Sequence, residues 1–482
     1  MATAANTTDI ASTMEAVLQK QRASFTAELP VPMAVRKDRI RRAMRLLYEN
    51  QSALVKAMSE DFGHRSPEQS LMTDIVGSLN VARHTLKHMD KWARPEKRAL
   101  QFPLGLLGAR ARVEYQPLGV VGIIAPWNFP VQLCMNPAIN AFAAGNRVMI
   151  KNSEYTEKTS DLLAELGPKY FDESEAVFFT GGPDVGQAFS ELPFDHLIFT
   201  GATSVGHHIM RAAAKNLVPV TLELGGKSPA IVGRSADKAK AARSIAMGKM
   251  MNAGQICIAP DYLYVPEESE NEVIENVKAS VSTLYPTLLA NDDYTAIVNE
   301  RHHQRLSGYL DDAREKGAEV IEVNPANEDF RSANSRKMPL HILRNVSDDM
   351  KVMQDEIFGP ILPVKTYKSV DEAVDFVNGR DRPLALYYFG QDGGEEKHVT
   401  DRTISGGVTV NDTLFHVAMD DLPFGGVGPS GMGSYHGIDG FRRFSHAKAI
   451  YSQPKIDIAK IAGFVPPYGE GTRKAIARDN KV

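Results

Sequence analysis

Cysteine is scarce in this chain, which has only Cys134 and Cys257 among its 482 residues. Two cysteines can form at most one internal disulfide, so a disulfide-rich secreted scaffold is excluded and a reducing compartment is favoured. A zinc site is disfavoured because no C-x-x-C pair occurs and the 13 histidines form no ligand-spaced cluster. The adjacent pairs His207–His208 and His302–His303 are predicted to be surface histidines, and no metal site is predicted.

A long apolar run and an excess of basic charge are missing as well. No apolar run is long enough to cross a bilayer, and residues 1–13 lack the basic start and apolar core of a secretory signal. The net charge of -4 provides no global positive field for nucleic acid. These features predict a cytoplasmic protein that binds neither nucleic acid nor membrane.

Length and patterning predict more than one α/β domain, because 482 residues are too many for one compact core. From residue 118 onward, short apolar runs alternate with helical stretches, which indicates parallel sheets covered by helices on both faces. We place a boundary between two such domains near residues 225–250. Residues 99–117 contain Pro and Gly and then alternate like a strand, as in an exposed hairpin that is either an oligomerisation arm or a plain surface feature.

The pattern of apolar residues also places individual elements. Helical spacing occurs over 14–25 and 37–61, and the Ser-x-x-Gln spacing at 66–69 is that of a capping box that begins a helix over 66–92. Strands are predicted at 120–126, 147–151, 175–181, 196–201, 220–226, 262–266, 318–323 and 361–367.

Cys257 lies in a polar segment that contains glycine, "NAGQICIAPDY" (252–262), whereas Cys134 lies among apolar residues and is predicted to pack in the core. A thiol in a loop where backbone N–H groups can reach it is suited to act as a nucleophile. From the residues alone, Cys257 is therefore either a thiolate nucleophile or a second packed cysteine.

Two polar residues stand at predicted strand ends, where ligands bind in doubly wound sheets. Asn128 in "PWNFP" (126–130) is held between prolines and is either a hydrogen-bond donor to an oxyanion or a turn residue. Glu223 in "LELGGK" (222–227) lies on an apolar strand. It is either a general base with a raised pKa or part of a buried ion pair, for which Lys227 is the candidate partner.

Two further segments have features of a dinucleotide site. In "FTGATSVG" (199–206), a glycine turn between strand and helix lets backbone N–H groups approach a phosphate, and a plain strand-to-helix turn is the alternative. In "IKNSE" (150–154), Lys151 and Glu154 can bond ribose hydroxyls, or Ser153 and Glu154 can cap a helix. No P-loop occurs, which argues against phosphoryl transfer.

Taken in order, these motifs resemble those of the aldehyde dehydrogenase superfamily over residues 126–437. The motifs are "PWNFP", "IKNSE", "FTGATSVG", "LELGGKSP", "NAGQICIAPDY", "EIFGP" and "LPFGGVGPSGMGSYHG". The segments "CIAPDY" and "GMGSYHG" resemble the class 3-like branch. The segments "DFGHRSPEQSLMTDI", "PFDHLIFTG" and "GFRRFSHAK" resemble the bacterial coniferyl-aldehyde dehydrogenases.

The resemblance implies an α/β, aldehyde dehydrogenase-like fold with two doubly wound domains and a small bridging or oligomerisation element. Residues 1–98 and 118–224 would form the dinucleotide-binding domain and residues 225–433 the catalytic domain. Residues 99–117 and 434–482 would form the bridging segments. A homodimer is also implied, and leucines of the first bridging segment would lie at or near its contact; they are Leu104, Leu106 and Leu107.

The resemblance assigns the nucleophile to Cys257, the general base to Glu223, and the oxyanion donor to Asn128 with the Cys257 N–H. The implied cofactor-binding residues are Trp127, Lys151, Glu154, Gly201, Ala202, Val205, Glu356 and Phe358. Because Glu154 should repel a 2′-phosphate, NAD is the expected cofactor and NADP the alternative. The chain departs from the family at Asn152, where Pro is usual, and at Ala202, where Ser is frequent and could donate to the pyrophosphate.

The implied activity is NAD(P)-dependent oxidation of an aldehyde to the carboxylic acid through a Cys257 thiohemiacetal and thioester, with coniferyl aldehyde giving ferulate. One alternative is that the substrate is another aldehyde, either medium-chain aliphatic or benzaldehyde-type. A second is an acylating reductase, which the presence of Glu223 disfavours. A third is a cysteine hydrolase without nicotinamide that pairs Cys257 with His416. Four residues are candidates for an aromatic aldehyde tunnel or for plain packing: Trp127, Phe129, Phe415 and His416.

Overall fold

The computed structural model describes residues 3–102, 104–461 and 463–480, and the short apolar runs form strands in it. The strands are β1 (Glu96–Lys97), β2 (Arg110–Pro117), β3 (Val120–Ile124), β4 (Arg147–Lys151), β5 (Ala176–Phe179), β6 (His196–Thr200), β7 (Val220–Glu223), β8 (Pro229–Val232), β9 (Tyr262–Pro266), β10 (Glu319–Val323), β11 (Leu340–Arg344), β12 (Ile361–Tyr367), β13 (Ala385–Phe389), β14 (Gly407–Val410), β15 (Gly431–Met432) and β16 (Ser445–Ser452).

Helices separate most of these strands. They are α1 (Thr3–Ala27), α2 (Met33–Glu49), α3 (Gln51–Phe62), α4 (Pro67–Ser70), α5 (Gly77–Trp92), α6 (Gln132–Ala144), α7 (Glu157–Tyr170), α8 (Pro183–Ser190), α9 (Thr203–Ala214), α10 (Lys238–Met250), α11 (Glu270–Leu284), α12 (Glu300–Glu315), α13 (Lys351–Gln354), α14 (Val370–Asn378), α15 (Gly393–Arg402), α16 (Gly437–Arg443), α17 (Ile458–Ile461) and α18 (Glu470–Asp479). In the described ranges, no helix is both long and apolar enough to span a bilayer.

The first large sheet has six strands in the order β15-β7-β6-β3-β4-β5. Its strands are parallel except β15, which is antiparallel to β7. Neighbouring residues of β3 face different cores: Val120 packs in a cluster with Leu18 of α1, and Val121 packs in a cluster with Ile139 of α6. Helices therefore cover both faces, which explains why these strands read as continuous apolar runs.

The second large sheet has seven strands in the order β10-β11-β12-β9-β8-β13-β14. The chain passes from the first sheet to the second between β7 and β8, over residues 224–228. The predicted strand at 318–323 is present as β10, but it is antiparallel to β11, so its expected place in a parallel series was wrong. The physical reason is that residues 324–339 join the two strands without a crossover helix, which a parallel pair requires.

A small third sheet joins two distant segments of the chain. β2 pairs antiparallel with β16, from Pro117 opposite Ser445 to Arg110 opposite Ser452, and β1 lies on the other edge of β2. The expected hairpin is present, because β1 and β2 are consecutive antiparallel strands, but its first strand lies before residue 99. The main partner of β2 comes from the segment after residue 440.

The helices of the first 92 residues follow the predicted pattern with two differences. The helical pattern over 37–61 is divided at Asn50, between α2 and α3, and the helix over 66–92 is divided by a π-helical segment at Leu71–Val76. Only half of the expected capping box forms: the Ser66 hydroxyl accepts the N–H of Gln69 at 3.2 Å. The Gln69 side chain instead bonds to Asn252, in the loop before Cys257.

Candidate active site

A cavity of about 680 Å³ lies where the two large sheets meet. Its wall combines residues from the loops after β3, β6 and β7 with Cys257, the start of α12 and residues 354–358. Parallel strands place their carboxyl ends, and hence the following loops, at the same edge of a sheet. The three predicted catalytic residues Cys257, Glu223 and Asn128 all line this cavity, although they are far apart in the sequence.

Cys257 is half-buried and follows a backbone stretch of unusual conformation. Asn252, Ala253 and Gly254 have φ values of 50°, 52° and 74°. A side chain at position 254 would clash with the carbonyl oxygen of Gly359, so glycine is required there. Burial, and then the carboxyl groups of Glu356 and Glu223, raise the pKa of the Cys257 thiol.

Cys134, by contrast, is fully buried in α6, where its thiol donates to the carbonyl oxygen of Val131 at 3.2 Å. The prediction that it packs in the core is confirmed. Burial also raises the pKa of this thiol, and both cysteines are free.

Asn128 is buried, and both its backbone and its side chain are held by the loop that precedes Cys257. Its Nδ2 donates to the carbonyl oxygen of Gln255 at 3.1 Å, and its own carbonyl oxygen accepts a hydrogen bond from Asn252 Nδ2 at 3.2 Å. An amide nitrogen carries two hydrogens, so one donor remains for a group in the cavity.

Glu223 ends β7 with 2 % of its surface exposed, and neither carboxyl oxygen has a hydrogen-bond partner in the described part of the chain. Burial raises the pKa of this carboxyl well above its usual value of 4.5, and the charge of Arg443 opposes the shift. The ion-pair alternative with Lys227 was wrong, because Lys227 Nζ instead bonds to Asp261 and to the carbonyl oxygen of Val352.

Five of the eight predicted cofactor-binding residues line the same cavity: Trp127, Gly201, Ala202, Glu356 and Phe358. The Trp127 and Phe358 rings meet edge to face, with centroids 5.3 Å apart. Burial, and then the charge of Asp261, raise the pKa of Glu356 to about 8.

The wall also contains the first turn of α9. Ala202 is the N-cap residue and gives no side-chain hydrogen bond, and the next residues, Thr203 and Ser204, line the cavity. Uncapped N–H groups at the start of a helix favour a phosphate group. Val205, in the same turn, is 43 % exposed and is not part of the lining.

Lys151 and Glu154 also lie outside the cavity lining, at the carboxyl end of β4. The buried Lys151 Nζ is 3.6 Å from the Glu154 carboxylate and donates to the carbonyl oxygen of Asn152 at 2.6 Å. Burial lowers the pKa of Lys151. The side chain of Ser153 accepts the N–H of Tyr155, so Ser153 rather than Glu154 caps the short helix that follows.

Sequence reasoning missed three residues of α12 that line the cavity: His302, Arg305 and Tyr309. His302 is half-buried with its ring 5.2 Å from that of Trp127, so the expectation of a surface histidine was wrong for this residue. Burial lowers the pKa of His302 to about 4, so the ring is neutral at pH 7. Arg305 donates to the carbonyl oxygens of Ile357 and Phe358 at 2.8 and 3.5 Å. The i, i+3, i+7 spacing of the three residues on one helix face was the available signal.

The four candidates for an aromatic tunnel differ in whether they line this cavity. Of the four, Trp127 lines the cavity. Phe129 is buried 5.3 Å from the Arg65 guanidinium, Phe415 is half exposed, and the His416 ring bonds to the Thr409 hydroxyl at 2.7 Å. Among the described residues, no group of three or more histidine, cysteine or acidic side chains could hold a metal ion.

Known sequences resemble this chain over most of its length. Residues 2–450 match the model of the aldehyde dehydrogenase family. The chain is 56% identical over 465 residues to the "probable coniferyl aldehyde dehydrogenase" of Caulobacter vibrioides, with 96% of each chain covered. It is 52% identical to the coniferyl aldehyde dehydrogenase of Pseudomonas sp. strain HR199, with 95% of each covered. It is 37% identical to the dimeric, NADP-preferring aldehyde dehydrogenase of Canis lupus familiaris, covering 95% of this chain and 98% of that one.

Solved structures give the same result. The substrate-bound state of Staphylococcus aureus AldH matches with a TM-score of 0.89 at 34% identity, over 97% of this chain and 99% of that chain. The NAD+ complex of an aldehyde dehydrogenase from Bacillus cereus matches with a TM-score of 0.82 at 25% identity, over 92% and 89%. The predicted α/β fold is thereby confirmed, and the chain belongs to the aldehyde dehydrogenase family. It is an NAD(P)-dependent enzyme that oxidises aldehydes.

Proposed function

We propose that this enzyme oxidises coniferyl aldehyde to ferulate, with Cys257 as the nucleophile, Asn128 as the oxyanion donor and Glu223 as the general base. The observation that carries the proposal is the meeting of these three side chains on one cavity wall. Two relatives more than 50% identical to this chain, over at least 95% of its length, are named as coniferyl aldehyde dehydrogenases, which supports the aromatic substrate.

The first step forms a carbon–sulfur bond between the Cys257 thiolate and the aldehyde carbon. The Asn128 Nδ2 hydrogen that is not bonded to Gln255 and the Cys257 N–H stabilise the resulting oxyanion. Burial raises the pKa of the Cys257 thiol, so loss of its proton must precede the attack.

The residues around the cavity fit a nicotinamide dinucleotide. The uncapped first turn of α9, with Gly201 and Ala202, suits the pyrophosphate, and Val205 lies in the same turn. Trp127 and Phe358 would provide ring faces for the nicotinamide, and Glu356 would accept hydrogen bonds from the nicotinamide ribose. The adenosine ribose is assigned to Lys151 and Glu154. When bound, the dinucleotide would supply a two-electron hydride acceptor, and the Cys257 adduct would become a thioester once its carbon had lost a hydride.

Release of the acid requires water and a base. Glu223 lies on the same wall as Cys257, and its carboxyl oxygens make no hydrogen bond within the described chain. A carboxylate with a raised pKa removes a proton from water more readily than an ordinary one does. Glu223 therefore activates the water that cleaves the thioester.

NAD is the preferred cofactor in this proposal. Glu154 is 3.6 Å from Lys151, so part of the lysine's positive charge is already compensated. A 2′-phosphate on the adenosine ribose would be repelled by the carboxylate. Because one relative is named for a preference for NADP, the test must compare both cofactors.

The domain roles belong to the same proposal. Residues 1–98 and 118–224 bind the dinucleotide and residues 225–433 carry the nucleophile, whereas 99–117 and 434–482 bridge the two chains of a homodimer. The short β15, within the proposed catalytic range, pairs with β7 of the first sheet. Both cysteines are free, which suits the cytoplasm.

The test is an aldehyde panel with NAD and NADP, followed by the absorbance of the reduced cofactor. We expect kcat/KM to be highest for coniferyl aldehyde with NAD and ferulate to appear without coenzyme A. A large preference for short aliphatic aldehydes would overturn the substrate but not the family. Thioester or peptide cleavage with no cofactor reduction would favour the cysteine hydrolase.

A further inference from the structure

Four buried side-chain amides form one hydrogen-bonded network beside Cys257. They come from α4, from the loop after β3 and from the stretch that precedes the nucleophile: Gln69, Asn128, Asn252 and Gln255. Buried amides that make several hydrogen bonds fix the relative positions of the segments that carry them. None of the four except Asn128 lines the cavity.

Gln69 holds both the backbone and the side chain of Asn252. Its Oε1 accepts the Asn252 N–H at 2.8 Å, and its Nε2 donates to Asn252 Oδ1 at 3.1 Å. One planar amide therefore fixes the position and the orientation of a residue five places before the nucleophile.

The held residue begins the left-handed stretch Asn252–Gly254. Asparagine tolerates a positive φ, but Ala253 at φ 52° is in a strained conformation that persists only when its surroundings enforce it. The two bonds from Gln69 are part of that enforcement. Without them, the backbone can relax toward ordinary conformations.

Asn252 passes this constraint to the oxyanion donor. Its Nδ2 donates to the carbonyl oxygens of Asn128 and Gln255, at 3.2 Å each. The Gln255 carbonyl oxygen also accepts Asn128 Nδ2, and the Gln255 side chain donates to the carbonyl oxygen of Ala296 at 3.1 Å. A shift of Asn252 would thus move both the backbone and the amide of Asn128.

The segment that carries Gln69 is itself fixed next to the loop of Asn128. Asp74, in the π-helical segment, forms a buried ion pair with Arg65 at 2.8 Å. Its other oxygen accepts the N–H groups of Val131 and Gln132 at 3.1 Å each, just after the Asn128 loop. Short π-helical turns are frequent at functional sites. Here the π-helical segment that contains Asp74 directly follows α4, which carries Gln69, so the contacts of Asp74 also fix the position of Gln69.

We propose that Gln69 is a positioning residue of the oxyanion hole. It holds Asn252 and, through Asn252, keeps the Asn128 amide where negative charge develops on the aldehyde oxygen. The inference rests on the role of Asn128 in the proposed function. Displacement of a reacting or stabilising group by about 1 Å can cost on the order of a hundredfold in rate.

The experiment measures kcat, both KM values and the rate of the first NADH turnover for Q69L, N128A and the double variant Q69L/N128A. Q69L is expected to lower kcat and the first-turnover rate by about tenfold to a hundredfold, with both KM values within about threefold of wild type. The double variant should be no slower than N128A, because both changes remove the same donor.

Gln21 provides the matched control. It is also a fully buried glutamine, and its Nε2 donates to the carbonyl oxygens of Val148 and Glu173 at 3.1 and 3.0 Å, away from the cavity lining. Q21L should lower Tm, as Q69L does, but leave kcat within about twofold of wild type. If Q69L does not fold, Q69N replaces it, because the shorter amide cannot reach both atoms of Asn252.

The outcomes separate the two proposals. A wild-type kcat in N128A would show that Asn128 does not stabilise the oxyanion, and it would overturn both the proposed role of Asn128 and the inference about Gln69. A slow N128A with an unchanged Q69L, or reductions that multiply in the double variant, would overturn the positioning role and leave the proposed function intact. A Q21L variant as slow as Q69L would show a general effect of lost stability and would also overturn it.

Discussion

At the scale of single residues, Glu223 shows most clearly how a proposed function conflicts with stability. A carboxyl group with no hydrogen-bond partner in the described chain is expensive to ionise at a buried position. Its raised pKa means that the folded protein binds a proton more tightly than the unfolded chain does. Above pH 4.5 and up to the folded pKa, unfolding releases that proton, so stability falls as the pH rises through this window.

We therefore expect E223Q to lower steady-state turnover by at least about a hundredfold, because thioester hydrolysis loses its base, while raising Tm at pH 7 to 8. In wild type, kcat should rise with pH along an acid limb that lies above the ordinary carboxyl pKa. Thermal unfolding and pH–rate profiles check both effects. The exposed Glu315 supplies the control, since E315Q should change neither quantity. An unchanged turnover in E223Q would contradict the assignment.

The two cysteines allow a matched comparison. C257S should lose aldehyde oxidation by at least about a thousandfold, because a serine hydroxyl is a much weaker nucleophile than a thiolate at neutral pH and forms no thioester. C134S should retain kcat within about threefold, because the buried hydroxyl can still donate to Val131. Mass spectrometry after a burst with a slow substrate should find acyl adducts on Cys257 alone. Full activity in C257S would exclude the covalent route.

At the scale of elements, α16 affects Glu223 through one charge. Arg443, the last residue of that helix, lowers the pKa of Glu223 against the effect of burial. R443M should therefore shift the acid limb of kcat to higher pH and reduce turnover at pH 6 more than at pH 9. R442M is the matched control, because Arg442 on the same helix instead pairs with Glu96 at 2.8 Å. An unshifted limb in R443M would show that Glu223 does not set it.

The secondary-structure elements also differ in how readily they could be predicted from the sequence. The strands at 120–126 and 147–151 are continuous apolar runs and were predicted as β3 and β4, whereas β8 and β11 were missed. The four residues of β8 follow the glycine-rich end of β7, and β11 carries His341 and ends in Arg344. Such segments are strands because neighbouring strands complete their hydrogen bonds, which is a tertiary effect.

At the scale of the whole molecule, exposed apolar side chains lie in the connection between β1 and β2 and in the segment after β16. Phe102 and Leu106 are 86 % and 80 % exposed, and Ile461, Phe464 and Tyr468 are also exposed. Apolar groups exposed in this number suit a contact with a second copy of the chain. Leu106 was among the leucines that the resemblance placed near the subunit contact.

L106D should therefore weaken the proposed homodimer and shift its mass toward that of a monomer in light scattering at micromolar concentration. L217D is the control, since Leu217 is 89 % exposed after α9, outside these segments, and should leave the mass unchanged. If both L106D and L217D remain dimeric, the subunit contact does not involve Leu106. If the wild-type protein is monomeric, the proposed homodimer is wrong.

The sequence by itself determined the motifs, the alternation of strands and helices and, through the resemblance, the family. The expectations for Cys134 and for strands such as β3 and β4 rested on local apolar patterning, which is a property of neighbouring residues. Only the tertiary structure decided that Lys227 pairs with Asp261 rather than Glu223, that His302 lines the cavity, and that Gln69 holds Asn252 instead of completing its capping box. Each of these depends on which distant segment supplies a partner for a buried polar group, and local pattern carries no information about that choice.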